Sequence, residues 1–311
     1  MPVPLRANDN ASPMSKRIVA PILTRVRRVA AIVGLVAAAA PAAVAQCRPP
    51  ANSNDAKLLA FYSAPIAFSM DAAPQVMAPG AVRIEGELEP MPIPSAALQQ
   101  TGPPCFVSKN ENTRLAPIFA RPRITVGLPA GFIVEASYVP PIRFYDADPQ
   151  LGSFALSRAQ RLPAVPWGGS VTLLVRAHGT VGQVRGPITC PTKALQTDDP
   201  GAPCFGTVPS RDTFHPYMVG GEGALSLTTR NGRVSVYAGA GITWLRPRFQ
   251  VGFVNGDAVT DSTRVEVNLT RGTVFGGVTA KVTRAFELSA QVYSQLSDVT
   301  TIRVSAGYVL H

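Results

Sequence analysis

The strongest constraint on the fold is an alternation of apolar residues with small or polar ones along the C-terminal third of the chain. In one stretch the apolar set is Val234, Val236, Ala238, Ala240, Ile242 and Trp244. A period of two places successive side chains on opposite faces of a strand, whereas a helix repeats every 3.6 residues. The same alternation recurs in residues 286–293 and 302–310. We therefore predict a sheet with one apolar face.

Proline use divides the chain into two parts. Residues 46–120 contain eleven prolines, whereas residues 218–311 contain only Pro247. Proline has no N–H to donate to a β ladder. The first part is therefore predicted to be mostly loop, with a short helix near Asp55–Tyr62, and the last part to be nearly continuous sheet.

Turn residues separate the alternating segments into ten predicted antiparallel strands. Asn231-Gly232 tolerates the positive φ angles of a two-residue hairpin. Where the apolar phase slips, near Arg271-Gly272, we interpret the slip as a β-bulge. The predicted strands are Val82–Glu89, Arg123–Leu128, Phe132–Val139, Ser153–Leu162, Ser170–Val184, Met218–Arg230, Arg233–Val251, Thr263–Thr283, Phe286–Leu296 and Thr301–Leu310.

The predicted connections alternate in length. Short ones follow Leu128, Leu162, Arg230 and Thr283. Longer ones cover Pro90–Pro122, Pro140–Gly152, Arg185–Tyr217 and Gly252–Ser262. Short turns at one end and long loops at the other are typical of outer-membrane β-barrels.

The N-terminus has the pattern of an export signal. A basic region precedes the apolar run Val29–Ala40, and Ala43-Val44-Ala45 supplies small residues for cleavage after Ala45. The run is shorter than the roughly 20 residues of a spanning helix. Residues 1–45 hold six basic residues and one acidic residue, so the formal charge of +10 falls to about +5. That excess is scattered, which argues against a nucleic-acid partner.

These features together resemble bacterial outer-membrane β-barrel proteins of the small, porin-like kind. The resemblance covers the exported N-terminus, the strands from Val82 onward and the last strand, which ends Ala306-Gly307-Tyr308-Val309-Leu310. It implies an antiparallel, up-and-down transmembrane β-barrel over residues 81–311, located in the bacterial outer membrane. It also implies membrane lipid and the barrel-assembly machinery as partners. Residues 46–80 would form a plug in the barrel or a periplasmic tail.

The alternation assigns side chains to the two faces of the wall. The residues expected to face lipid are Val234, Val236, Ile242, Trp244, Ile302, Val304, Tyr308 and Leu310. The residues expected to face the interior are Arg83, Glu85, Arg123, Arg176, His178, Glu222, Lys281, Glu287 and Arg303. Such residues could form a charged network that fills a narrow barrel or a path for a small solute. Ten strands argue against a wide aqueous pore, which takes roughly 16.

Four cysteines in an exported chain predict two disulfides, with three possible pairings. They are Cys47, Cys105, Cys190 and Cys204. A bridge between Cys190 and Cys204 would close a short segment and remove roughly 3 kcal/mol of loop entropy from the unfolded state. Because no pair has zinc-site spacing, we expect neither a metal nor a cofactor.

Two other functional classes are weaker alternatives. The first is a soluble, secreted, disulfide-linked β-sandwich that binds a partner. The second is a barrel enzyme, for which Ser210, Asp212 and His215, or His178 with Ser170, would be the candidate residues. Closeness in sequence does not imply triad geometry, so we predict no catalytic site. Gly220–Gly223 is glycine-rich but has no following helix to make a nucleotide cradle. The expected role is structural in the envelope, or passive passage of a small solute.

Overall fold

A single antiparallel ladder closes on itself to form a barrel in the computed structural model, which describes residues 47–99, 115–163 and 169–310. The helices are α1 (Asn54–Ser63) and α2 (Ala96–Gln99). The strands are β1 (Val82–Pro90), β2 (Ile118–Gly127), β3 (Phe132–Val139), β4 (Asp148–Arg161), β5 (Ser170–Gly186), β6 (Asp212–His215), β7 (Met218–Thr228), β8 (Val234–Leu245), β9 (Arg248–Gln250), β10 (Phe253–Val254), β11 (Thr260–Asp261), β12 (Arg264–Glu266), β13 (Leu269–Lys281), β14 (Phe286–Gln295) and β15 (Val299–Leu310).

Ten of these strands form the barrel wall, in the order β1-β2-β3-β4-β5-β7-β8-β13-β14-β15. The wall closes where β15 pairs with β1, from Val82 opposite Leu310 to Leu88 opposite Val304. Every pairing in the wall is antiparallel. The predicted fold class, an up-and-down barrel of about ten strands, is therefore confirmed.

Two predicted strands were too long, and two began too late. The segment Arg233–Val251 divides into β8 and β9 around Arg246-Pro247, because proline cannot continue the ladder. The segment Thr263–Thr283 divides into β12 and β13. In contrast, β2 begins at Ile118 rather than at Arg123, since it continues through Pro122. Likewise, β4 begins at Asp148 rather than at Ser153.

The bulge predicted near Arg271-Gly272 is wrong. The register between β13 and β8 is unbroken from Leu269 opposite Leu245 to Ala280 opposite Val234. The apparent slip arises because Leu269 and Phe275 are large apolar residues that point inward, into an interior that also holds many charged side chains. Phe275 fits because its neighbour across the ladder is Gly239, where a Cβ would lie 2.4 Å from the ring.

The two ends of the barrel differ. At the turn end, β1 begins, β15 ends and short connections such as 229–233 and 282–285 join the strands. At the loop end lie the longer connections 91–117, 140–147, 187–217 and 246–268. There β6, β9 and β12 continue the sheet from β5, and β10 pairs with β11. We call these five strands and the loops between them the loop-end extension. None of the helices in the described ranges is long and apolar enough to cross a bilayer.

Candidate functional site

The outer face of the wall is apolar. All eight residues predicted to face lipid are exposed, with fractional exposures between 38% and 59%. Each of the ten wall strands contributes at least one large exposed apolar side chain. Examples in wall order are Ile84, Ile124, Val134, Phe154, Val175, Leu225, Val236, Val274, Val292 and Val304.

The inner face of the wall is charged. The structure buries most of the residues predicted to face the interior, namely Arg83, Glu85, Arg123, Arg176, His178, Glu222, Glu287 and Arg303. Lys281 shares this inward phase at the rim of the barrel, opposite the inward-facing Glu287. It is the last residue of β13, so its side chain reaches the turn end, remains 40% exposed and lies 3.5 Å from the Glu287 carboxylate.

An apolar exterior around a charged interior is the reverse of a water-soluble protein, which buries its apolar faces. The chain has the architecture of an outer-membrane β-barrel. The β-sandwich alternative is wrong, because a sandwich packs the apolar faces of two sheets against each other. Here the wall is one closed ladder whose apolar face points outward.

No protein family and no curated protein matches the chain. Among solved structures, the attachment invasion locus protein Ail of Yersinia pestis is 13% identical, with a TM-score of 0.29. The alignment covers 75% of this chain and 100% of Ail. The outer membrane protein Omp33 of Acinetobacter baumannii is 10% identical, with a TM-score of 0.24 and coverage of 74% and 98%. Both similarities are remote, so the architecture of this barrel rests on its own strand pairing.

A peptide segment threads the barrel lumen. We call residues 64–77 the plug. Its backbone bonds to inward-facing side chains of the wall: Arg303 donates to the Ala64 carbonyl at 3.0 Å, and the Ala73 N–H donates to Thr279 Oγ1 at 2.8 Å. Nearly all of the plug is buried. Because the plug forms no regular strand, wall side chains supply the partners that its backbone needs.

Phe68, in the plug, is fully buried inside the barrel. Three guanidinium groups from the wall lie against its ring, with distances to the ring centroid of 4.3 Å for Arg123, 4.9 Å for Arg176 and 5.3 Å for Arg121. Cations over an aromatic face attract its π-electrons, and the attraction is greater where water is excluded. Phe68 therefore fills space and also stabilises positive charge.

Glu222 ties the wall to the plug. Its carboxylate accepts from Ser69 Oγ at 2.6 Å, from the Met70 N–H at 2.9 Å and from Arg176 at 2.5 Å. Arg176 also pairs with Glu135 at 2.9 Å and donates to the Phe68 carbonyl at 2.6 Å. One buried ion pair thus bonds on both sides to the segment that occupies the lumen.

A second cluster is built around Glu87. Its carboxylate pairs with Arg121 at 2.9 Å and with Arg123. These two arginines donate onward to carbonyls of the plug: Arg121 to Ile66 and Ala67, and Arg123 to Ser69. The barrel interior is therefore a single bonded network of wall charges and plug backbone.

The sequence prediction missed several members of this network. Glu87 and Glu89 share the inward phase of Glu85 in β1, so extending the alternation by two positions would have identified them. Arg121 was missed because β2 was predicted to begin after it. Asp71 lies in the plug, 3.4 Å from Arg123, where no periodic pattern marked it.

The plug runs through the lumen from one end of the barrel to the other. At the loop end, the Cys47 N–H donates to Arg264 at 3.0 Å, and Cys47 accepts from Glu266 at 3.1 Å. At the turn end, the Gly80 N–H donates to the Gly127 carbonyl at 2.8 Å. Gly127 has to be glycine, because a Cβ there would lie 2.3 Å from the Ala78 carbonyl. Of the two arrangements considered for residues 46–80, the structure has the plug.

The loop-end extension is held by a disulfide between Cys190 and Cys204. Cys47 is also disulfide-bonded, and Cys105 lies outside the described residues. Asp212, fully buried, accepts from the N–H groups of Thr189 at 2.6 Å and Gly252 at 2.9 Å. These bonds make Asp212 the structural centre of the extension.

The structure does not assemble Ser210, Asp212 and His215 into a triad. Ser210 does donate to Asp212, at 2.7 Å. However, the Nδ1 atom of His215 lies 3.0 Å from the Gly182 carbonyl, and its ring stacks on Tyr217. Burial lowers the pKa of His215 despite the hydrogen bond to Gly182.

The second candidate pair is also far apart. Ser170 begins β5 at the turn end, whereas His178 lies eight positions along the same strand. That spacing corresponds to roughly 26 Å at the rise of a β-strand. His178 instead packs against Gly220, where a Cβ would lie 2.6 Å from Nε2. Close packing thus explains one glycine of Gly220–Gly223. Within the described part of the chain, no group of three metal-ligating side chains is present.

We predict that Glu222→Ala destabilises the barrel by about 3–5 kcal/mol, the usual cost of removing one partner of a buried ion pair. Ser69, Met70 and Arg176 would each lose an acceptor. The measurement is the free energy of unfolding in urea, with the protein in lipid vesicles. Lys193→Ala is the control, since this exposed lysine of the loop-end extension should cost no more than about 0.5 kcal/mol. Equal losses in the two variants would contradict the network described above.

The Cys190→Ser, Cys204→Ser double variant should loosen the loop-end extension and leave the wall intact. The expected loss is about 3 kcal/mol for the closed segment. Limited proteolysis should then cut between residues 187 and 217, while migration of the unboiled protein on a gel stays that of the folded barrel. A variant whose wall unfolds together with the extension would show that the disulfide supports the whole barrel.

Proposed function

We propose that the protein is a closed outer-membrane barrel with a structural role in the bacterial envelope. It would be exported through residues 1–45 and inserted by the barrel-assembly machinery. The observation that carries this proposal is the ring of apolar side chains, to which every wall strand contributes. Soluble monomers rarely expose apolar patches larger than a few hundred Å², so such a ring requires a lipid environment.

Aromatic residues support a bilayer setting. Trp244 lies near the loop end of β8 and Tyr308 near the turn end of β15, and both project outward, as does Tyr138. Amphipathic rings at both membrane interfaces are typical of such barrels. Tyr237 and Tyr293, by contrast, are buried inside the lumen.

The plug favours a structural role over passage of a small solute. Arg123, Arg176 and Arg303 are among the largest fully buried side chains, and each donates to a plug carbonyl. A solute crossing the lumen would have to displace these contacts. Breaking one buried ion pair already costs several kcal/mol.

Both wall termini lie at the turn end, which by the usual arrangement of such barrels would face the periplasm. The loop-end extension would then face the outside of the cell. Its disulfide fits an oxidising compartment. On this arrangement the extension is the part of the protein available to contact the surroundings.

We predict that Val304→Arg destabilises the protein in a bilayer by about 2–4 kcal/mol, because arginine on the lipid face near the midplane is costly. Val254→Arg is the matched control. Val304 and Val254 are similarly exposed, at 45% and 49%, but Val254 belongs to the loop-end extension. The measurement is the unfolding free energy of each variant in vesicles.

A small and equal effect of the two substitutions would mean that water, not lipid, surrounds the wall. The same conclusion would follow if the wild-type protein were recovered from the soluble periplasm with migration on a gel unchanged by boiling. Recovery in the outer-membrane fraction with heat-modifiable migration is the expected result.

A closed lumen also predicts electrical behaviour. The intact protein in a planar bilayer should show no steady open channel, because the plug and the buried arginines of the wall occupy the lumen. The measurement is single-channel conductance of the refolded protein at several voltages. A steady, porin-like conductance of the wild-type protein would overturn the structural role and favour solute passage.

A further inference from the structure

The barrel wall is incomplete between β2 and β3. These strands pair only from Ile124 opposite Ala136 to Gly127 opposite Ile133, close to the turn end. Towards the loop end, residues 118–123 of β2 pair with β1 alone, and residues 137–139 of β3 pair with β4 alone. Among the described residues, the two strand edges therefore face each other there without a ladder.

Two prolines explain where the ladder stops. The Leu128 N–H donates to Phe132, towards β3, while the Gly127 N–H donates to Ala81, towards β1. N–H groups alternate between the two neighbours along a strand, so the even-numbered residues of β2 point to β3. If the register continued, Pro122 would face Tyr138 and Ala120 would face Pro140. Each of these two pairs contains a residue that has no N–H to donate.

A cavity of about 720 Å³ lies at this gap. Its lining includes Ala120 and Pro122 from the outer face of β2, and Phe119 and Arg121 from the inner face of the same strand. A space that touches both faces of one strand has to pass around the edge of that strand. The cavity is thus a lateral opening that joins the outer surface of the wall to the barrel mouth.

The inner part of the cavity is apolar. Helix α1 contributes Leu58, Leu59 and Tyr62 to it, and the plug contributes Ile66. Arg121 carries no net charge into the space, because it pairs with Glu87 at 2.9 Å and its guanidinium lies 5.2 Å from the centre of the Phe119 ring. Asp55, in the first turn of α1, also lines the cavity. The space therefore suits a neutral, apolar occupant.

We infer that this opening binds one acyl chain of a membrane lipid, which enters sideways between β2 and β3. The inference rests on the proposed membrane location. The outer rim, with Leu88, Ile118 and Pro122, is continuous with the apolar outer face of the wall, so a lipid chain is the molecule that meets it. The volume lies within the range of roughly 300–1,000 Å³ that ligand sites occupy.

The test uses full-length protein in phosphatidylcholine vesicles that contain a trace of phosphatidylcholine with a photoreactive diazirine on one acyl chain. After illumination, peptide mass spectrometry locates the adducts. We expect adducts on Leu58, Leu59 or Tyr62 of α1, which line the inner part of the cavity behind the gap. Adducts confined to the outer face of the wall would overturn the inference.

A matched pair of variants tests the route. Ala120 and Ala238 both project outward from wall strands, but only Ala120 lines the opening. Ala120→Trp should lower labelling of α1 by at least about tenfold, whereas Ala238→Trp should leave it unchanged. A tenfold loss of occupancy corresponds to about 1.4 kcal/mol. Equal labelling of α1 in the two variants would contradict lateral entry.

Pro122→Val provides a second, smaller change. Valine restores the N–H that would bond to Tyr138, so the ladder should extend and labelling of α1 should fall without any added bulk. Unchanged labelling would refute the role of the prolines in holding the gap open.

Two further measurements distinguish a lipid chain from a dissolved solute, and a failed inference from a failed insertion into the membrane. If free diazirine palmitate added from water labels α1 and the vesicle lipid does not, the occupant is a dissolved apolar solute, and the lipid assignment is wrong. Heat-modifiable migration and flotation with vesicles are recorded for every sample. A protein that does not insert contradicts the proposed function, whereas an inserted protein with unlabelled α1 contradicts only this inference.

Discussion

The pairing of buried charges inside the barrel is the interaction on which the rest of the structure depends. A wall that shows its apolar side to lipid has to turn its polar side inward, where little water is available. Arginine and glutamate on neighbouring strands neutralise each other there, as Arg123 and Arg121 do with Glu87. Removing one partner would leave a buried charge without compensation, which is far more costly than removing both.

The number of strands explains why a plug is present as well. Roughly eight strands enclose a space that side chains alone just fill, and each added strand widens it. With ten strands, the long inward side chains leave room for one extended peptide. The plug fills that room, and its carbonyls accept the arginine N–H groups that the glutamates leave over. The wall arginines and the plug carbonyls therefore satisfy each other's hydrogen-bonding groups.

Much of the wall was predictable, because the alternation of side chains along a strand and the residues of a tight turn are local features of the sequence. Alternation fixed the inward phase of residues such as Glu222 and Arg303 and the outward phase of Val304, and Asn231-Gly232 located a hairpin. The path of the plug was not predictable. Ala64, Ser69 and Met70 bond mainly through backbone atoms, which every residue type carries, so their sequence holds no periodic signal. The gap beside Pro122 needed the strand register, which only the folded structure supplies.

The threaded path of the N-terminal segment constrains how the molecule can be put together. Cys47 is fastened beyond one rim of the wall, and Gly80 is fastened at the other. If the wall closed first, α1 and the plug would have to pass through the lumen, where the wall arginines are already paired with glutamates. It is far easier for the sheet to curl around the segment while its seam is still open. The structure therefore favours an order of folding in which the segment between Cys47 and Gly80 takes its place first, and β15 pairs with β1 last.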